Sequence, residues 1–83
     1  MTLSEEEKGF HKKLAVSLFN ETWNLMEKEE LSVTEVDQMI ASCHASRFHW
    51  SLVGTYIHLL RGDWQLSRMY AVCLLYTSPS PRD

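Results

Sequence analysis

Proline is almost missing from this 83-residue chain. Pro79 and Pro81 both lie in the last eleven residues, and the 72 residues before Cys73 hold none. Only Gly9, Gly54 and Gly62 interrupt that stretch. Proline in a helix interior costs about 3 kcal/mol and glycine about 1 kcal/mol, so a segment this poor in both reads as all-helical. Cysteine is scarce too. Cys43 and Cys73 allow one bridge at most, and neither stands in a CxxC spacing, which excludes a disulfide scaffold and favours reduced thiols. Uncharged stretches such as Met39 to Ser46 and Phe48 to Leu60 are too short or too polar for the roughly 20 apolar residues of a membrane span. The first residues are polar and acidic, without the basic and apolar regions of a targeting peptide. The expected location is the cytoplasm. Basic charge is in deficit as well: the formal net charge is −3, which argues against the phosphate contacts of generic nucleic-acid binding.

What remains is globular material. The chain is 45% hydrophobic and 23% charged, with three residues each of Trp, Tyr and Phe, enough to exclude wholesale disorder. Its length allows one small domain or a piece of a larger one. Charge is unevenly laid out. Residues 1–37 carry nine acids against four lysines, whereas residues 38–72 carry Arg47, Arg61 and Arg68 against Asp63 alone.

Ser4-Glu5-Glu6-Glu7 reads as a capping box that opens a first helix, with three acids favouring its dipole. Phe10, Leu14, Leu18 and Leu25 recur at helical spacing, flanked by Ala15, Phe19, Thr22 and Met26, and predict a buried face on a helix running over about 5–30. Ser32 and Glu35 mark a second box, and Leu31 before it can pack on Val36 as a hydrophobic staple. One or two residues then separate the helices and force an antiparallel hairpin. The second helix is expected over 33–53, burying Val36, Met39, Ile40, Cys43 and Trp50 and ending at Gly54 in a left-handed cap. The small Ala41, Ser42, Ala45 and Ser46 allow a neighbour to approach closely. Thr55 is expected to cap a third helix over 56–74, whose interior Gly62 needs a packing reason. That helix is apolar on two sides, one bearing Ile57, Leu60, Trp64 and Ala71 and the other Leu59, Leu66 and Tyr70. If the hairpin covers the first side, Leu59, Leu66 and Tyr70 face water and offer a surface for self-association.

Trp64-Gln65-Leu66-Ser67-Arg68-Met69-Tyr70-Ala71-Val72 looks like the first helix of a tetratricopeptide-type repeat. Together with His44-Ala45-Ser46-Arg47-Phe48-His49-Trp50 and Arg61-Gly62-Asp63-Trp64-Gln65 it resembles an uncharacterised family of small bacterial tetratricopeptide-like helical proteins. The resemblance covers about residues 10–72, implies a helical-repeat fold and brings no established catalytic residues. In that family a Leu-Gly turn and a second repeat helix follow Tyr-Ala-Val. Here the string Cys-Leu-Leu-Tyr-Thr-Ser-Pro-Ser-Pro-Arg-Asp takes their place, and it resembles translated sequencing-adaptor read-through. Residues 76–83 are accordingly expected to form a non-helical tail of a truncated chain.

The candidate functional residues are charges lying on apolar stripes. Arg47 falls between Cys43 and Trp50 on the second helix, Arg61 and Arg68 flank Trp64 on the third, and Glu21 sits among Leu14, Leu18 and Leu25 on the first. A structural reading pairs Glu21 with one of the arginines and stacks an arginine on Trp64 or Trp50. A functional reading lets Glu21, His44, Arg47, Trp50, Arg61, Trp64 and Arg68 line a groove for an acidic peptide or small anion. Metal ligation is not expected of His44, His49 and His58, because His44 and His49 are five apart and no HExxH or HxxxH spacing exists. His44 is expected to be satisfied at an interface and His58 solvated. Cys43, on a core stripe, should be inert. No cofactor is called for. The sequence thus predicts an all-α hairpin plus third helix acting in protein or peptide interaction, with no nucleic-acid or membrane partner. The alternative is a small-molecule or metal-binding helical-bundle enzyme fragment centred on His44, Arg47 and Arg68.

Overall fold

A computed structural model describes residues 2–77 and is all-helical over them: α1 Glu5–Met26, α2 Val33–Val53 and α3 Tyr56–Thr77. Both capping boxes form. The Ser4 hydroxyl accepts from the Glu7 amide at 3.1 Å while the Glu7 carboxylate accepts from the Ser4 amide at 2.8 Å, and Ser32 and Glu35 repeat the exchange at 3.1 and 2.9 Å. Each box contributes about 1 kcal/mol and fixes where its helix begins.

Helix α1 stops at Met26, four residues short of the expected end. Glu27, Glu29 and Glu30 follow, and acids at a helix C-terminus oppose its dipole. The chain instead turns so that Lys28 pairs with Glu35 of the second box. The connection is therefore residues 27–32, longer than the spacing suggested, and the antiparallel hairpin is kept. Leu31 and Val36 both pack against the core below it.

The core of the hairpin is narrower than the large-residue stripe predicts. On α1 the buried positions are Ala15, Thr22 and Leu25, with Leu18 half-buried, whereas Phe10 is 68% exposed and Leu14 is also exposed. The reason lies in the small residues opposite. Ser46 of α2 is buried and its hydroxyl donates to the Ala15 carbonyl at 2.8 Å, a contact possible only where both side chains are small. That approach rotates α1 so that Phe10 and Leu14 point outward. Met39, Cys43 and Trp50 are buried on α2 as expected, with Val36 and Ile40 half-buried.

Helix α2 is central and packs on both neighbours, while α1 and α3 touch much less. The inward stripe of α3 is Gly62, Gln65, Met69 and Cys73, flanked by half-buried Leu59, Leu66 and Val72. Expectation is reversed for most of these residues: Ile57, Leu60 and Trp64 are left exposed, at 60%, 49% and 54%, and Leu59 and Leu66 are half-buried against the fold, while Tyr70 is exposed as expected. Gln65 decides the orientation. It is fully buried, its amide nitrogen donates to the Phe19 carbonyl of α1 at 3.0 Å, and its carbonyl accepts from the Cys43 thiol at 3.8 Å. A buried amide without partners would cost about 1–3 kcal/mol, so these bonds hold α3 in this rotation.

Both interior glycines serve packing. Gly54 ends α2 with φ −87° and ψ 171°, extended backbone rather than the expected left-handed cap. A Cβ there would meet the Trp50 carbonyl at 2.7 Å, the His58 Cβ at 2.8 Å and the Trp50 ring at 2.9 Å. At Gly62 a Cβ would lie 2.6 Å from Cδ of Arg47. The glycine gives the arginine a path across α3. Helix α3 continues through Thr77, so Tyr76 and Thr77, assigned to the tail from the sequence, are helical. The rest of the expected tail, 78–83, lies outside the described residues.

Candidate functional site

Two helices that touch little above a third leave a cleft. It has a volume of about 300 Å³ and is lined by Lys12, Val16 and Phe19 of α1, Trp50 of α2, and His58 and Arg61 of α3. Trp50, 8% exposed, is its best-buried lining residue. Its ring is held by a parallel stack on His58, with centroids 4.1 Å apart and planes within 6°. His58 is fixed in turn from the backbone, because its Nδ1 accepts from the Thr55 amide at 2.9 Å and lies 3.2 Å from the Thr55 hydroxyl. An amide can only donate, so the Nδ1 of that ring is unprotonated and His58 stands at the third helical position where a capping box carries Glu. His58 is thus half-buried and engaged, not solvated as the sequence suggested.

One turn further along both outer helices, Trp23 of α1 meets Trp64 of α3 with centroids 5.4 Å apart, and Phe19 packs edge-on to Trp23 at 6.3 Å. These rings continue the apolar lining beyond the cleft, and Ile57 and Leu60 of α3 are exposed as well. The polar members of the lining are basic. Neither Lys12 nor Arg61 enters an ion pair among the described residues. The other charged candidates are engaged. Arg47 donates from Nε to Asp63 at 2.8 Å, and Arg68 lies over Trp64, 5.8 Å from the ring centroid. Glu21 accepts from Gln38 at 2.9 Å; the pairing with an arginine expected for it is replaced by this bond, because Gln38 is its level neighbour across the hairpin. His44, expected at an interface, is exposed yet bridges α2 and α3 through Tyr70 at 2.7 Å.

Of the seven residues singled out from the sequence, the cleft brings together Trp50 and Arg61, with Trp64 one turn and Arg68 two turns beyond Arg61 on α3. Glu21, His44 and Arg47 lie on other contacts. Sequence reasoning missed Lys12, Val16, Phe19 and His58 as lining residues. It also missed a pair beside them, His11 and His49, whose Nδ1 atoms lie 2.9 Å apart. The hairpin register holds the missing signal. Positions whose numbers sum to about 60 lie level, as Ala15 does with Ser46 and Glu21 with Gln38, and that rule sets His11 opposite His49.

Burial, then the proximity of His11, lowers the His49 pKa. Burial, then Cys73, pushes the Cys43 thiol up to about 11, and burial raises Cys73 too. Thiols so shifted are poor nucleophiles at neutral pH. No group of three or more His, Cys, Asp or Glu side chains is placed to hold a metal ion among the described residues, and no helix there is long and apolar enough to cross a membrane. The chain matches no family model, curated protein or solved structure.

Proposed function

We propose that this chain is a protein- or peptide-interaction module of tetratricopeptide-like character, and that its docking site is the cleft between α1 and α3. The observation that carries this reading is the pairing of an apolar, aromatic lining of Val16, Phe19 and Trp50 with two cations, Lys12 and Arg61, that have no acid partner among the described residues. Charge complementarity selects the occupant: an acidic segment that carries an apolar or aromatic anchor. The anchor fills the cleft over Trp50, and flanking carboxylates meet the two cations; arginine suits carboxylates because its planar fork donates two parallel bonds. A volume of about 300 Å³ accepts one or two large side chains, at the small end of the range for binding sites. The exposed Ile57, Leu60 and Trp64 extend the contact along α3.

The enzyme alternative has less support. It needs His44, Arg47 and Arg68 to act together, and each is bound to a different partner: Tyr70, Asp63 and Trp64. A fluorescein-labelled peptide with a central Phe flanked by glutamates tests the proposal against the same peptide with lysines in their place. The acidic peptide should bind, bind more weakly as salt rises, and lose at least tenfold in affinity to Lys12→Glu/Arg61→Glu. Equal binding of the two peptides, or none of either, would overturn it.

A further inference from the structure

His11 of α1 and His49 of α2 aim their Nδ1 atoms at each other across the hairpin, 2.9 Å apart, with ring centroids separated by 5.0 Å. In the free protein this contact is an N–H···N hydrogen bond, which requires that one ring carry its proton on Nδ1 and the other offer a lone pair. Two imidazole nitrogens converging from two packed helices are also what a metal chelate needs. At metal–nitrogen distances of about 2.0–2.1 Å, a separation of 2.9 Å corresponds to a nitrogen–metal–nitrogen angle of about 90°. That is the angle between adjacent positions of a square or octahedral ion. A tetrahedral ion needs a wider separation.

We propose that His11 and His49 form a two-histidine chelate for a divalent transition ion of copper(II) or nickel(II) type, with water filling its remaining positions. The chemistry of the donors fits, since imidazole nitrogen with oxygen co-ligands in tetragonal geometry suits these two ions. Binding costs no net proton when both rings are neutral: the ring that held its proton on Nδ1 moves it to Nε2, and both Nδ1 lone pairs go to the metal. Neutral imidazole is the ligating form. Both helices are already fixed by the Ser46–Ala15 contact one turn away, so the chelate needs little reorganisation. A bound ion would cross-link α1 and α2 beside Lys12, at the edge of the cleft.

The test is titration of untagged protein with copper(II), nickel(II) or zinc(II) chloride at pH 7.5, followed by melting temperature. A ligand that binds only the folded chain stabilises it by mass action. Copper and nickel should raise the midpoint by several degrees at saturation, and zinc by less. His11→Gln and His49→Gln should each abolish the rise, while His44→Gln and His58→Gln retain it. No rise in the parent protein, or a rise that survives both His11→Gln and His49→Gln, would overturn the proposal. Electron paramagnetic resonance of the parent protein with one equivalent of copper gives a readout that does not depend on any variant folding. Two coordinated imidazole nitrogens are expected; one or none would refute the chelate.

Discussion

Replacing Gly62 with alanine sets two effects of known size against each other. In a helix interior alanine is favoured over glycine by about 1 kcal/mol, so Gly62→Ala should stabilise α3 if nothing opposed it. The added Cβ would lie 2.6 Å from Cδ and 3.6 Å from Cβ of Arg47. The obstruction is therefore the middle of the side chain, which cannot swing aside while its Nε stays 2.8 Å from Asp63. Displacing it removes an ion pair whose partners are 27% and 57% exposed, worth about 0–1 kcal/mol at such exposure, and lifts the arginine stem from the helix. The two sides nearly cancel, so Gly62→Ala alone should be neutral or mildly destabilising. In an Arg47→Ala background the obstruction is gone and the same change should stabilise by about 1 kcal/mol. That is a shift of about 4–8 °C for a domain of this size. Urea denaturation of the four proteins of this double-mutant cycle, with unchanged m values, measures the coupling. If Gly62→Ala stabilises equally in both backgrounds, Arg47 does not lie across α3 and the assigned role of the glycine is wrong.

Gly54→Ala should be harsher, costing about 2 kcal/mol or more, because the atoms it meets include the Trp50 carbonyl and ring and neither can move without opening the cleft; thermal melts with Trp fluorescence report both effects. Met39→Ala should cost about 2–5 kcal/mol by equilibrium unfolding, as expected for a fully buried side chain, whereas Phe10→Ala should stay within about 0.5 kcal/mol. Cys43, with its pKa raised to about 11, should react with a thiol reagent at pH 8 far more slowly than in the urea-unfolded chain. Glu7 and Glu35 have pKa values lowered from 4.5, Glu7 chiefly by the Ser4 amide and Glu35 chiefly by Lys28. The unfolded chain then binds more protons in acid, so their contribution is present above pH 4.5 and is lost as pH falls through the lowered values; melting from pH 6 to 3 should show a smaller fall for Glu7→Gln/Glu35→Gln than for the parent.

Local signals were the most legible part of the sequence. The two capping boxes depend on residues three apart and mark the starts of α1 and α2, and Gly54 marks the end of α2. Helix rotation was harder to read. A stripe drawn through the largest residues of α1 selects Phe10 and Leu14, yet the contact forms at Ala15 because Ser46 opposite it is small and bonded to its carbonyl. Size alone misleads wherever close approach decides the packing. The same holds on α3, where a polar residue, Gln65, turns inward to satisfy a carbonyl of α1 and a thiol of α2, leaving Ile57, Leu60 and Trp64 outside. No single-helix pattern contains that information. Of the cleft, Trp50 and Arg61 were visible as an aromatic and a charge on apolar stripes. Lys12, Phe19 and His58 belong to it only through the register of the hairpin and the short Gly54–Thr55 connection.

The claim on which the functional reading rests is that the face between α1 and α3 receives an acidic, aromatic-bearing segment. Nuclear magnetic resonance mapping of backbone amides and indole N–H groups, with the Phe-glutamate peptide added stepwise, tests it most directly. The largest shift changes should fall on Val16, Phe19, the Trp50 indole and Arg61, and weaken together when salt is raised. Changes centred instead on His44, Arg47 and Tyr70, on the α2–α3 contact, would contradict the assignment of the cleft.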